Sequence, residues 1–326
     1  MDKGIFEIFV CMVFFFFSIR KSVIMDSMSK EKKGKETENQ IEEKRSQIKI
    51  SVRNLVERLE QGGMKVVSDG GFRSRDFLES WEGICSKDGR PFSEGSPLEI
   101  TGRLSLLRHP ILEEFAFLDS IVDGGVMKKQ HIPSPAEVMT QIIQRVERTQ
   151  IETVYSDIRL LTDDIASCYK FLLTKLYDAG CRYVQFDGVH SVIMEDTIRL
   201  NNRVLRERPA GMYVAFHAPT DMLVQLHGAD AYFLNYDCGA CDRNRLLWFI
   251  HEKEAVFGFV LSHYPQEDEL DELQAKTESV LNYIPLKRFT LCLPDANALL
   301  SPSEADEEKQ WETVRLGMEM AARIFS

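Results

Sequence analysis

The chain has 326 residues, 44% of them hydrophobic, and a formal net charge of -11 at neutral pH. That length and apolar content are enough for one large α/β domain with a substantial core. The acidic balance, with no basic stripe interleaved with aromatics, excludes the electrostatic footprint of a nucleic-acid binder.

The N-terminus opens on an unbroken apolar run, residues 8–17, extended by Ile5, Phe6 and Ile19. It is shorter than the roughly 20 residues that a membrane-spanning helix needs. Only Lys3 precedes it and no small-x-small cleavage site follows, a weak pattern for a signal peptide. Three readings stand: a first barrel strand, a membrane anchor, or an extension upstream of a start at Met25 or Met28. Residues 1–33 are set apart as an N-terminal extension and 34–326 as the domain. The seven cysteines (Cys11, Cys85, Cys168, Cys181, Cys238, Cys241 and Cys292) are odd in number and scattered, which suggests reduced thiols in a cytoplasmic protein.

Residues 29–47 are polar and charged and read as a solvated helix or linker. Val52, Leu55, Val56 and Leu59 then recur at helical spacing, and Gly62 and Gly63 end that helix. Residues 65–69 read as a strand tipped by Asp69. Residues 72–126 are an irregular excursion on top of the barrel, with short helices and a hairpin around 98–103. Residues 128–132 are a weak strand running into Pro133, Ser134 and Pro135. Ser134 suits a helix N-cap, Pro135 the first helical position, and Glu137 the far end of a capping box. Helices are expected over 136–149 and 158–179.

The stretch 176–188 organises the rest. The long helix ends at Gly180, and a short apolar run, 183–186, leads at once to Asp187. That pattern is a helix feeding a buried parallel strand whose last residue points out of the sheet. A helix near 193–207 follows. Strands are expected at 213–217, 231–237, 256–263 and 289–295, with helices near 268–283 and 303–325.

Seven strands alternating with helices predict a (β/α)8 TIM barrel, whose eighth strand would come from the N-terminal run. Asp69, Asp187, His217, Asp237, His263 and Asp295 stand at strand ends. Taken singly, each such residue is more often a cap or turn. Together, at the C-terminal ends of barrel strands, they outline a pocket.

The runs LYDAGCRYVQFD (176–187), IPSP (132–135) and VVSDG (66–70), with the Tyr155-Ser156-Asp157 turn and Pro294-Asp295, resemble the catalytic domain of cobalamin-independent methionine synthase, in the form of its short single-domain bacterial relatives. The resemblance covers roughly residues 34–325. It implies a uroporphyrinogen decarboxylase/methionine synthase-like barrel that binds zinc and moves a methyl group from 5-methyltetrahydrofolate to the thiol of homocysteine. Zinc is needed there because a thiol is a poor nucleophile until a metal lowers its pKa.

The same resemblance implies zinc ligands from a His-x-Cys pair, a Glu one strand later and a Cys in a Pro-x-Cys-Gly motif. An Asp-Gly-Glu motif and the Asp of the Gln-x-Asp strand would hold the amino acid. This chain keeps His217 and Asp187 but places Pro219, Asn235 and Ala296 at the other ligand positions, and Gly71 at the substrate-binding glutamate. Asp187, His217, Asp69 and Asp295 are therefore the candidate substrate-binding residues, and no metal is expected at the family positions.

A relocated zinc site could use Cys238, Cys241 and His217, although a lone Cys-x-x-Cys is more often two incidental thiols. His190 and His227 read as surface or cap residues, and Arg73 and Arg75 as paired surface arginines. The strand aromatics Tyr183, Phe216, Phe233 and Phe259 read as core, and Cys181 and Cys292 as buried structural thiols. Three functions follow. The first is a methionine synthase-like S-methyltransferase degenerate at zinc. The second is a non-catalytic barrel binding an amino acid or pterin-like molecule. The third is a metal-free enzyme using Asp187, His217 and Asp295 for acid–base work.

Overall fold

The structure, a computed structural model, describes residues 38–70, 76–89, 92, 95–235, 255–260, 270–282, 284–292 and 315. The N-terminal apolar run, Arg73, Arg75, Asp237, Cys238, Cys241, His263, Asp295 and Ala296 lie outside them.

Helix α1 (Glu38–Gln61) buries Val52, Leu55, Val56 and Leu59, the stripe its spacing predicts. It ends where Gly63 takes a positive φ of 82°. Strand β1 (Val66–Ser68) follows. The excursion after it holds an antiparallel pair, β2 (Glu82–Ser86) and β3 (Leu98–Ser105), and then α2 (Ile111–Ile121). A bulge at the start of β2 places Gly83 at φ 82°, where a Cβ would sit 2.4 Å from the Arg103 carbonyl oxygen, so only glycine fits.

Strand β4 (Met127–Pro133) leads into α3 (Pro135–Arg145), then α4 (Arg148–Val154) and α5 (Ile158–Asp178). The expected helix over 136–149 is thus divided. Val146 is extended (φ -108°, ψ 138°) and bridges to Leu98 of β3, which breaks the helical ladder. The hairpin docks on α4 and α5, in the helical layer. Arg103 pairs with Asp164 at 2.5 Å, and the Tyr155 hydroxyl takes the Leu104 N–H and donates to Asp164, both at 2.8 Å. Asp157, from the turn noted in the sequence, caps α5 by accepting from Arg159 N.

The remaining elements are β5 (Tyr183–Asp187), α6 (Glu195–Glu207), β6 (Tyr213–His217), the short α7 (Thr220–Leu223), β7 (Ala231–Asn235), β8 (Val256–Val260), α8 (Leu270–Leu281) and β9 (Phe289–Cys292). Strands β1, β4, β5, β6, β7, β8 and β9 form one sheet in that order, every neighbouring pair parallel. Among the described residues, seven parallel strands ordered as in the sequence and flanked by helices make a TIM-barrel-like α/β fold.

Strand alternation separates two apolar layers. Ile132, Val184, Phe186, Val214, Phe216 and Phe257 pack outward against the helices, Tyr169, Leu172 and Leu176 of α5 among them. Val66, Tyr183, Ala215, Ala231, Phe233 and Val260 form a smaller inner cluster. The four strand aromatics expected in the core are all buried, as is Cys181, whose thiol burial pushes up to about 12.

Candidate ligand site at the strand ends

The parallel register aligns Pro133 of β4, Asp187 of β5 and His217 of β6 at one level. All three lie at C-terminal strand ends, where barrels carry their sites. The turn after β4 is held by Ser134. Its N–H donates to the Asp187 carbonyl at 2.7 Å, and its Oγ accepts the Glu137 N–H at 3.0 Å as the N-cap of α3. The capping box is therefore only half formed. The Ser134 N–H is already used by β5, and Glu137 instead accepts from Ser191 Oγ at 3.1 Å. Gly188 lets the chain pass this corner, since a Cβ there would lie 2.5 Å from Ser134 Oγ.

Behind Asp187 lies a polar network inside the sheet. Lys129 is 1% exposed, Gln185 0%, His131 2%, Asp187 6% and His217 0%. Lys129 Nζ donates to Gln185 Oε1 at 2.9 Å, and Gln185 Nε2 donates to Asp187 Oδ1 at 2.7 Å. His131 Nδ1 meets Asp187 Oδ2 at 3.1 Å, while His217 Nδ1 stands 3.7 Å from Oδ1, longer than a hydrogen bond.

Burial first, and the Lys129 charge second, pull the His131 imidazole down to about 4. It is neutral at physiological pH. Asp187 only accepts when ionised, so His131 must carry its proton on Nδ1. Burial opposes the charge on Asp187, but the two neighbouring imidazoles outweigh it and hold the carboxyl well below its usual range. With His131 neutral, its share of that effect is the hydrogen bond it donates. The result is a buried carboxylate linked to Lys129 through one side-chain amide.

Asp187 and His217 come together as the sequence suggested. Asp69, also buried, sits just past β1, but its Oδ2 accepts from Gln130 Nε2 at 3.1 Å. Gln130 alternates with His131 along β4, so this pair belongs to the other face of the strand, although the Asp69 charge still reaches His131. Asn235 ends β7 opposite Val260, and Asp295 lies outside the described residues. His190 and His227 are exposed.

Sequence reasoning missed Lys129, His131 and the role of Gln185. The four consecutive polar residues 128–131 made β4 look like a weak strand, and nothing in that run marks Lys129 and His131 as facing inward.

The resemblance implies zinc, and its fit is read only at the described residues. Among the described residues no group of three His, Cys, Asp or Glu side chains could hold a metal ion. Pro219, where the resemblance expects a cysteine ligand, begins the α7 turn and has no side-chain donor.

Fold and site define a TIM-barrel-like protein with a buried carboxylate–imidazole cluster at the C-terminal ends of β4, β5 and β6. The chain is 24% identical to a Listeria monocytogenes protein whose provisional name is vitamin-B12-independent methionine synthase, with a TM-score of 0.69 over 97% of this chain and 96% of that one. The barrel is thus methionine synthase-like in fold. Two uncharacterized proteins of Bacillus subtilis (strain 168) are each 25% identical: YxjG over 83% of this chain and 84% of its own, and YxjH over 94% and 92%. No family model matches the chain. Among the described residues no helix is long and apolar enough to cross a membrane.

Proposed function

We propose that this chain is a relative of the 5-methyltetrahydrofolate–homocysteine S-methyltransferases that has lost the zinc site and binds a small amino acid at Asp187. The observation that carries the reading is the Asp187 carboxylate itself. It is held ionised at a strand end, and an ionised carboxylate offers about four acceptor sites. Gln185 and His131 use two of them, which leaves capacity for an ammonium group. The name of the Listeria neighbour and the family motifs support an amino acid as the ligand class.

Calorimetric titration with L-methionine and L-homocysteine tests this. Both should bind, and Asp187→Asn should weaken binding at least about tenfold through loss of a charge-assisted contact. A carboxylic acid of the same chain length without the ammonium group should not bind. Equal affinity of the two proteins for L-methionine sinks the assignment.

A second reading is favoured by the 3.7 Å approach of His217 to Asp187. A carboxylate beside an imidazole is an acid–base pair, and could serve a metal-free reaction. Loss of turnover in His217→Gln with ligand affinity retained would distinguish it from binding alone.

A further inference from the structure

We infer that Lys129 is a positioning residue for Asp187, acting through the side-chain amide of Gln185. The inference rests on the ligand-binding reading of Asp187. Its argument lies in which groups can donate. An ammonium only donates, so the Gln185 oxygen must face Lys129, as it does at 2.9 Å. The amide nitrogen is then left for Asp187 Oδ1, at 2.7 Å. By itself a glutamine amide is indifferent to direction. Turned over, it would set oxygen against carboxylate, two acceptors in contact. Asp187 and Lys129 impose the same direction on the amide, so the lysine charge reinforces the contact that Asp187 receives.

Burial supports the same conclusion. An ammonium this deep is strongly disfavoured unless compensated, and Asp187 is the carboxylate that this amide links to it. The Tyr183 ring, 5.7 Å from Nζ, gives further support to the cation. Among the described residues, the titratable groups around the relay are His131 on β4, Asp187 on β5, His217 on β6 and Asp69 beyond β1.

The test is nuclear magnetic resonance on the full chain, with the Gln185 amide signals identified by their absence in Gln185→Leu. In the unmodified protein these protons should exchange with solvent at least about a hundredfold more slowly than those of exposed glutamines. In Lys129→Met that protection should fall about tenfold or more, and the His131 midpoint should rise by about one unit as the like charge is removed. Affinity for L-methionine should fall about tenfold, the loss expected when Asp187 is misdirected.

A merely space-filling Lys129 would leave the amide and imidazole signals of the folded variant unchanged, which overturns the inference. Should Lys129→Met not fold, Lys129→Gln, neutral but still able to donate to Gln185, takes its place: loss of Gln185 amide protection supports the relay, and unchanged protection contradicts it. Shifted amide and imidazole signals without any L-methionine binding would uphold the relay and fail only the ligand reading.

Discussion

His131 shows how a single residue couples this site to pH. Its ordinary value of 6.5 falls to about 4 in the folded chain, through burial first and the Lys129 charge second. Between those values the unfolded chain binds the extra proton, so stability rises with pH across that window and is lost as pH falls from 6.5 toward 4. The difference amounts to about 3 kcal/mol at full development. Asp187 acts in a lower range. Its folded pKa is depressed, so its contribution is present above the unfolded carboxyl value and is lost only in stronger acid. Urea unfolding at a series of pH values should show a steep loss between pH 6.5 and 4. His131→Gln, which keeps a donor for Asp187 and cannot charge, should flatten that slope. Parallel profiles for the two proteins would mean that His131 is not buried neutral. Asp187 and His217 were legible in the sequence because apolar runs lead straight to them. Lys129 and His131 were not, because a polar residue facing a barrel lumen looks like a solvated one until the register is known.

At the scale of elements, the strands depend on a few close approaches. Gly258 of β8 lies beside Phe233 of β7 and Thr290 of β9. A Cβ there would come within 2.6 Å of the Phe233 ring and 2.7 Å of the Thr290 methyl. Gly258→Ala should therefore overpack the interior and cost about 1–3 kcal/mol. Gly124, with nothing within 4 Å of its Cβ position, is the control, and Gly124→Ala should lie within about 0.5 kcal/mol of the parent. Denaturant midpoints compare them, and equal midpoints would show that β7, β8 and β9 are not packed as described. The regular elements were largely legible from periodicity. The division of α3 from α4 was not, since it arises from Val146 pairing with Leu98, a contact distant in sequence. The half-formed capping box has the same origin, because Ser134 N–H is claimed by Asp187 of another strand.

For the whole molecule, the alternation of strands and helices and the motifs around Asp187 both pointed to a methionine synthase-like barrel, and the seven-stranded parallel sheet has that architecture. The electrostatic design was less visible. Asp69 and Asp187 look equivalent as strand-end acids, yet one bonds Gln130 and the other closes the Lys129–Gln185 relay. The central proposal is that this methionine synthase-like barrel binds an amino acid at Asp187 without zinc chemistry. Its support is Pro219, which carries no side-chain donor where the resemblance expects a cysteine. Without metal, a free thiol of pKa about 8.5 is only a few per cent thiolate at neutral pH. The direct measurement is a methyl-transfer assay on the full chain with zinc, L-homocysteine and methylated folate. The expected result is no methionine above the protein-free rate. Sustained multiple turnover would contradict the account and point to Cys238 and Cys241 as replacement ligands, in which case their serine variants should be inactive.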